Sequence, residues 1–250
     1  MNAVGPSACC VPSLGGPLSE ADYAKLERSW IPRELANQAV LRRVTSAEGA
    51  SIIGRRDNGC YSGIIFPYVW PGEDYIREYW LRRDQPEVQY DGDGRPKEKG
   101  KYLGPPGRGN LVYFVPGTSA DLLGDLRVPI AITEGAKKTL ALHRLSYHEQ
   151  KEGADLPRFL AAGLGGVWSF RGTVGKVVGM DGSRRDEKGW IPDLARVTWA
   201  GRRVYIVYDS NVHTNPKVGA ARVELTSELM HRGAQVLWVN LPSLPGRPRD

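Results

Sequence analysis

The sequence predicts an α/β protein, a parallel sheet with crossover helices preceded by a small α+β subdomain. Three observations carry this. After about Asp125, short apolar runs alternate with a segment of helical periodicity, the pattern of strands joined by crossover helices. Before it, β-branched and aromatic runs separated by Pro and Gly read as antiparallel structure. At 250 residues, 41% hydrophobic and 25% charged, the chain is long enough for one large core or two small ones.

Residues 1–18 are rich in Gly, Pro and Ser without apolar periodicity and are expected to form a flexible leader. The amino-terminal subdomain is expected over 19–124. Ser19, followed three places later by Asp22, has the form of a helix-capping box, and Tyr23, Leu26 and Trp30 then recur at helical spacing until Ile31-Pro32. A second short helix is expected from Arg33 to Arg43. Gly63–Tyr68 and Tyr75–Leu81 flank the turn-forming Trp70-Pro71-Gly72-Glu73-Asp74 and predict a hairpin. Arg83–Lys101, with Asp91-Gly92-Asp93-Gly94, reads as an exposed loop, and Leu111–Val115 as a further strand.

The second domain is expected over 125–241. Its apolar runs are Val128–Thr133, Phe159–Leu164, Val204–Tyr208 and Val236–Leu241, with a helix over Ala136–Tyr147. Asn215 can cap a last helix, Pro216 suits its first position, Val218, Ala221, Leu225 and Leu229 share a face, and Gly233 ends it. Arg171–Gly189 lacks periodicity and reads as a long loop whose basic residues outnumber its acids, a candidate flap over nucleic acid. Residues 242–250, rich in Pro, read as a linker toward a further domain.

Several function classes are excluded. No apolar run approaches the roughly 18 residues of a bilayer span, and the first twenty residues lack a basic region followed by an apolar one, so a cytoplasmic location without membrane contact is expected. Cys9, Cys10 and Cys60 contain no Cys-x-x-Cys pair, which argues against a disulfide framework and a zinc ribbon. Gly163-Leu164-Gly165-Gly166-Val167-Trp168 has Trp where a dinucleotide fingerprint needs Gly, and the segment around Gly175-Lys176 fails as a P-loop. The four histidines show no metal-ligand pairing. A net charge of +6, from 34 basic and 28 acidic residues, permits a nucleic-acid partner without requiring one.

In an open parallel sheet, ligands sit beyond the carboxyl ends of the strands. There the first apolar run ends in Thr133-Glu134-Gly135 and the third in Asp209-Ser210-Asn211. Two carboxylates at one sheet edge would suit Mg²⁺, which takes few protein ligands and completes its shell with water and phosphate. Capping of the helices that follow is the alternative use of both acids.

Ile130-Ala-Ile-Thr-Glu-Gly-Ala-Lys-Lys-Thr-Leu-Ala-Leu142, with Val204-Tyr-Ile-Val-Tyr-Asp-Ser-Asn211, resembles the TOPRIM domain shared by topoisomerases and primases, above all that of plasmid and phage primase or helicase-primase replication proteins. The resemblance implies a TOPRIM-like parallel sheet in which Glu134 supplies the catalytic carboxylate and Asp209 holds divalent metal, Mg²⁺ or Mn²⁺. It extends upstream through Ile65-Phe66-Pro67-Tyr68, Arg82-Arg83, Lys101-Tyr102-Leu103-Gly104-Pro105-Pro106-Gly107 and Leu111-Val112-Tyr113, which follow the order of the basic subdomain that precedes TOPRIM in bacterial-type primases. By that match Lys101 approaches the incoming nucleotide, and Arg82 or Arg83 contacts the template strand.

Two departures stand out. Asn211 occupies the second acidic position of the expected Asp-x-Asp, so the metal set becomes Glu134, Asp209 and Asn211 with one charge fewer. Lys138 stands where cellular primases carry an acid, which would place an ammonium near phosphate; an exposed helix position is the alternative. The expectation is a primase-like module of a plasmid or phage replication protein that joins nucleotides on single-stranded DNA, with a helicase in cis or in trans. The rivals are a catalytically weakened DNA-binding module that recruits a helicase or polymerase, and a TOPRIM nuclease.

Overall fold

The computed structural model describes residues 14–90, 92, 94, 96–150 and 155–242. Cys9, Cys10, most of the expected leader and residues 243–250 of the expected tail lie outside them. The chain divides into two compact units, 1–108 and 109–250.

The first unit is built from α1 (Glu20–Glu27), α2 (Arg33–Gln38), β1 (Arg42–Val44), α3 (Ser46–Ile52), β2 (Gly63–Tyr68), β3 (Glu78–Arg83), β4 (Glu87–Tyr90), β5 (Pro96–Lys99) and β6 (Tyr102–Leu103). Strands β1, β2, β3 and β6 pair antiparallel in that order, with β2 buried along its whole length. A core of Val44, Ala50, Ile53, Tyr61, Ile65 and Leu81 packs against this sheet. The capping box expected at Ser19 is present: the Ser19 hydroxyl accepts from the Asp22 amide while the Asp22 carboxylate accepts from the Ser19 amide. Thr45 and Glu48 make a second one that starts α3.

Three expectations for this unit change. The last residues of the expected leader are held in place, because Gly16 bridges to Arg43 and Leu18 is buried. The second helix stops at Gln38, and Arg42–Val44 becomes a strand, since β2 offers a pairing edge that local periodicity does not reveal. The loop expected over Arg83–Lys101 contains the β4–β5 hairpin, whose described β4 residues are all exposed and therefore leave no apolar alternation to read.

The second unit holds β7 (Val112–Tyr113), β8 (Ile130–Glu134), α4 (Ala136–Tyr147), β9 (Leu160–Leu164), β10 (Arg171–Val178), β11 (Arg184–Trp190), α5 (Pro192–Ala195), β12 (Arg203–Ile206), α6 (Pro216–His231) and β13 (Gln235–Trp238). Its sheet runs β13-β12-β8-β9-β7; the first four strands are parallel, and β7 is antiparallel to β9. The architecture is thus α/β with a mixed sheet. Val112–Tyr113, assigned from sequence to the amino-terminal subdomain, belongs to this sheet, and the boundary falls after Arg108 instead of after residue 124. The long loop expected over Arg171–Gly189 is the two-stranded β10–β11 ribbon, which is too polar and exposed to betray its pairing by periodicity.

Helix α6 follows its sequence signals closely. Asn215 accepts from the Lys217 amide, Pro216 opens the helix, and Val218, Ala221, Leu225 and Leu229 are buried. Burying each of the two leucines contributes about 2 kcal/mol. Helix α4 packs closely on β9 because Gly163 has no side chain: a Cβ there would lie 2.2 Å from the Thr139 hydroxyl.

Arg202, just before β12, is fully buried, and among the described residues its hydrogen bonds go to backbone. Its guanidinium donates to the carbonyls of Leu122, Leu123, Asp125, Val128 and Thr198 at 2.6–3.3 Å. It thereby ties the segment before β8 to the start of β12.

Candidate functional site at the carboxyl edge of the parallel sheet

Strands β8 and β12 are neighbours, and the chain leaves them in opposite directions, β8 through α4 to β9 and β12 through α6 to β13. Between them lies the point where strand order reverses, the place at which open α/β sheets open a crevice for ligands. Glu134 ends β8, and Asp209 follows β12 by three residues.

Gly135 makes the junction between Glu134 and α4. Its φ of +81° suits glycine, and its amide donates to the Leu164 carbonyl at 2.6 Å, fixing the end of β8 against β9. The helix then begins at once, and Lys138, one turn past Glu134, reaches back over the strand ends. Its Nζ donates to Glu134 Oε1 at 2.8 Å and to Asp209 Oδ2 at 2.5 Å. On the β12 side, the buried Tyr208 anchors the approach to Asp209 through a 3.1 Å bond from its hydroxyl to the Val167 carbonyl.

The two acids thus meet around one ammonium, and their proton affinities separate. Burial, reinforced by Asp209, pushes the Glu134 carboxyl above the usual carboxylate range against the pull of Lys138. Burial acts upward on Asp209 too, but the bonds from Glu134 and Lys138 outweigh it and hold Asp209 below its ordinary value. The same acids overcome the desolvation of Lys138 and keep it charged. Asp209 therefore gives up its proton before Glu134 does, and the Lys138 ammonium lies against both. The Lys138 and Asp209 side chains are 43% and 41% exposed, so the cluster is open to a solvent-borne ligand.

Of the other residues singled out from sequence, Lys101, Arg82 and Arg83 belong to the 1–108 unit. Lys101 pairs with Glu98 at 2.8 Å. Arg83 is buried, donates from Nε to the Cys60 carbonyl at 2.7 Å and lies over the Tyr61 ring, which makes it a packing residue and not the template contact expected of it. Arg82 is half-buried in β3, and its Nε is buried without a hydrogen-bond partner among the described residues. Asn211 falls in the short 3₁₀ turn Ser210–His213, and its side chain lies outside those described. Sequence reasoning placed Lys138 near phosphate; its bonds to both acids were missed, and the spacing Glu134-x-x-x-Lys138 on a helix start is the signal that could have found one of them.

Among the described residues, no group of three or more His, Cys, Asp or Glu side chains is placed to hold a metal ion. The Glu134 and Asp209 oxygens are nevertheless the hard donors that Mg²⁺ or Mn²⁺ prefers, and two carboxylates suffice when water and phosphate complete the shell. The donor set fits one ion, on the condition that the Lys138 ammonium moves off the oxygens it now occupies.

Residues 120–247 match the model of a protein family described as a domain of unknown function, DUF3854. The match covers just over half of the sequence. The chain belongs to the DUF3854 family. The DUF3854 span takes in Glu134, Lys138, Asp209 and the whole β10–β11 ribbon, and leaves Lys101, Arg82 and Arg83 outside. Comparison with curated proteins gives no match. Among the described residues, no helix of this DUF3854 protein is long and apolar enough to cross a membrane.

Proposed function

We propose that the 109–250 unit is a TOPRIM-like module and that the chain acts as a primase-like nucleotidyltransferase of a plasmid or phage replication protein, joining nucleotides on single-stranded DNA in the cytoplasm. The observation that carries this reading is the meeting of Glu134 and Asp209, 75 residues apart in sequence, at the strand-order reversal between β8 and β12.

In this reading Glu134 and Asp209 hold Mg²⁺ or Mn²⁺, which supplies neutralisation of phosphate charge when bound. Lys138, displaced from the acids, offers its ammonium to a nucleotide phosphate; Lys101, in the 1–108 unit, is a separate candidate for a nucleotide contact. As the alternative to anchoring the ion, Glu134, whose carboxyl burial pushes above its usual range, gives or takes the proton of the reacting hydroxyl. Positioning and charge neutralisation account for most of the rate in phosphoryl chemistry. A second reading, a catalytically weakened DNA-binding module that recruits a helicase or polymerase, is favoured by one observation: Lys138 already neutralises the acids.

The test is incorporation of labelled nucleotides on single-stranded DNA with Mg²⁺ or Mn²⁺, run beside Glu134→Gln. New oligonucleotides are expected from the wild type, with a loss of about 100-fold or more in the variant. Equal product from both overturns the role of Glu134. Binding without product selects the recruiting module, and shortened input DNA marks a nuclease.

A further inference from the structure

The β10–β11 ribbon is a second charged feature of the 109–250 unit, independent of the carboxylate cluster. It pairs with no other strand, and from Thr173 to Lys188 nearly every described residue is exposed. Isolated two-stranded ribbons are marginal in water. This one is fixed at its base, where Arg171 pairs with Glu224 at 2.8 Å, the Asn110 side chain donates to the Arg171 carbonyl, and Phe170 stacks on Trp168 and meets Trp190 at a tilt. Its tip is a closed turn, with the Gly179 amide donating to the Ser183 carbonyl and Asp181 accepting from the Ser183 amide and hydroxyl.

The register sorts its side chains onto two unlike faces. Lys176 opposes Asp186, and Val178 opposes Arg184, so these share one face; Lys188 joins them, because it and Asp186 both bond the Thr173 hydroxyl. That face carries Lys176, Arg184 and Lys188 against the single acid Asp186, and neither Lys176 nor Arg184 forms an ion pair among the described residues. The opposite face balances Arg185 with Glu187 and adds Val174 and Val177. Met180 stands fully exposed at the tip.

We propose that this ribbon is a DNA-binding arm that lays its Lys176–Arg184–Lys188 face along the phosphate backbone of a duplex, with Met180 at the groove. The charge asymmetry selects a polyanion. A two-stranded ribbon matches a major groove about 12 Å wide, and on β11 the side chains of one face recur about every 7 Å along a single line. An exposed apolar tip is the kind of group that wedges against bases where protein enters a groove. The inference rests on the DNA reading above only for the class of polymer, and it names a contact surface that the reading lacked.

The test is the affinity of the full chain for a fluorescent 20-base-pair duplex and for a single strand of equal length, in EDTA and without nucleotide, across a salt series. The variant Lys176→Gln/Arg184→Gln/Lys188→Gln is expected to lose about tenfold or more on the duplex, with its salt slope shallower by about 2 to 3. Arg185→Gln, on the other face, is expected to stay close to wild type. Because binding is read without metal or nucleotide, a failure of the catalytic reading leaves this result standing. The proposal is overturned by a wild type that does not bind duplex, by equal losses in the two variants, by a loss confined to the single strand, or by a triple variant that instead dissolves a dimer of this chain.

Discussion

Arg202, at the amino end of β12, and Lys138, beside its carboxyl end, are both cations held within the 109–250 unit, and they are held by opposite means. Arg202 is fully buried and faces five backbone carbonyls. Lys138 is partly open and faces two carboxylates. A guanidinium whose hydrogen bonds go to backbone carbonyls serves the architecture, with the Asp125 carboxylate adding attraction. An ammonium between two acids whose proton affinities diverge marks a place where charge can be redistributed when a ligand arrives. One strand thus separates a stabilising end from the end proposed for chemistry, the edge at which open α/β sheets generally bind ligands.

Arg202→Met should break this comparison most visibly. It withdraws the guanidinium from five carbonyls, of which Leu123 and Asp125 keep a backbone amide donor, and about 4 kcal/mol of stability should be lost, read as a lowered denaturation midpoint at unchanged slope. A loss smaller than that of Lys138→Met would remove the architectural role assigned to Arg202.

Lys138→Met should cost less and carry a pH signature. Without the ammonium, Glu134 and Asp209 oppose each other as like charges, so the variant should lose about 1 kcal/mol relative to wild type near pH 8. Protonation relieves that repulsion, and the gap should close as pH falls toward 5. A pH-independent gap in paired melts would show that Lys138 contributes packing alone.

An effect that is absent at neutral pH sharpens the contrast from elsewhere on α4. Burial pushes the His143 imidazole from 6.5 down to about 4. A histidine depressed in the folded state supports stability above its unfolded value and loses that support as pH falls through 6.5 toward 4. His143→Gln should therefore flatten the acid limb of the stability profile without altering it above pH 7.5. An unchanged acid limb would place the titrating group elsewhere.

Features written in short-range chemistry were legible before any coordinates. The Ser19–Asp22 capping box, helix α4 over Ala136–Tyr147 and the Asn215, Pro216 and Gly233 signals of α6 all depend on neighbours within a few residues. Glu134 and Asp209 were legible as site candidates because each follows an apolar run, and strand ends are where ligands bind. The β10–β11 ribbon was not, since its strands have almost no buried face and periodicity needs one. Arg83 misled for the reverse reason: it sits on a strand in a basic stretch, yet the Cys60 carbonyl and Tyr61 ring draw it inside.

By itself the sequence determined the α/β alternation, the main helix ends and the identity of the two acids, because each is encoded by local spacing and capping. Tertiary structure alone decided that β8 and β12 are neighbours, that Lys138 bridges both acids, that Arg202 clamps five carbonyls and that the ribbon gathers its cations on one face. These are pairings between residues up to about 80 positions apart. They are fixed by strand order, register and competition for buried hydrogen-bond partners, none of which a window of sequence contains.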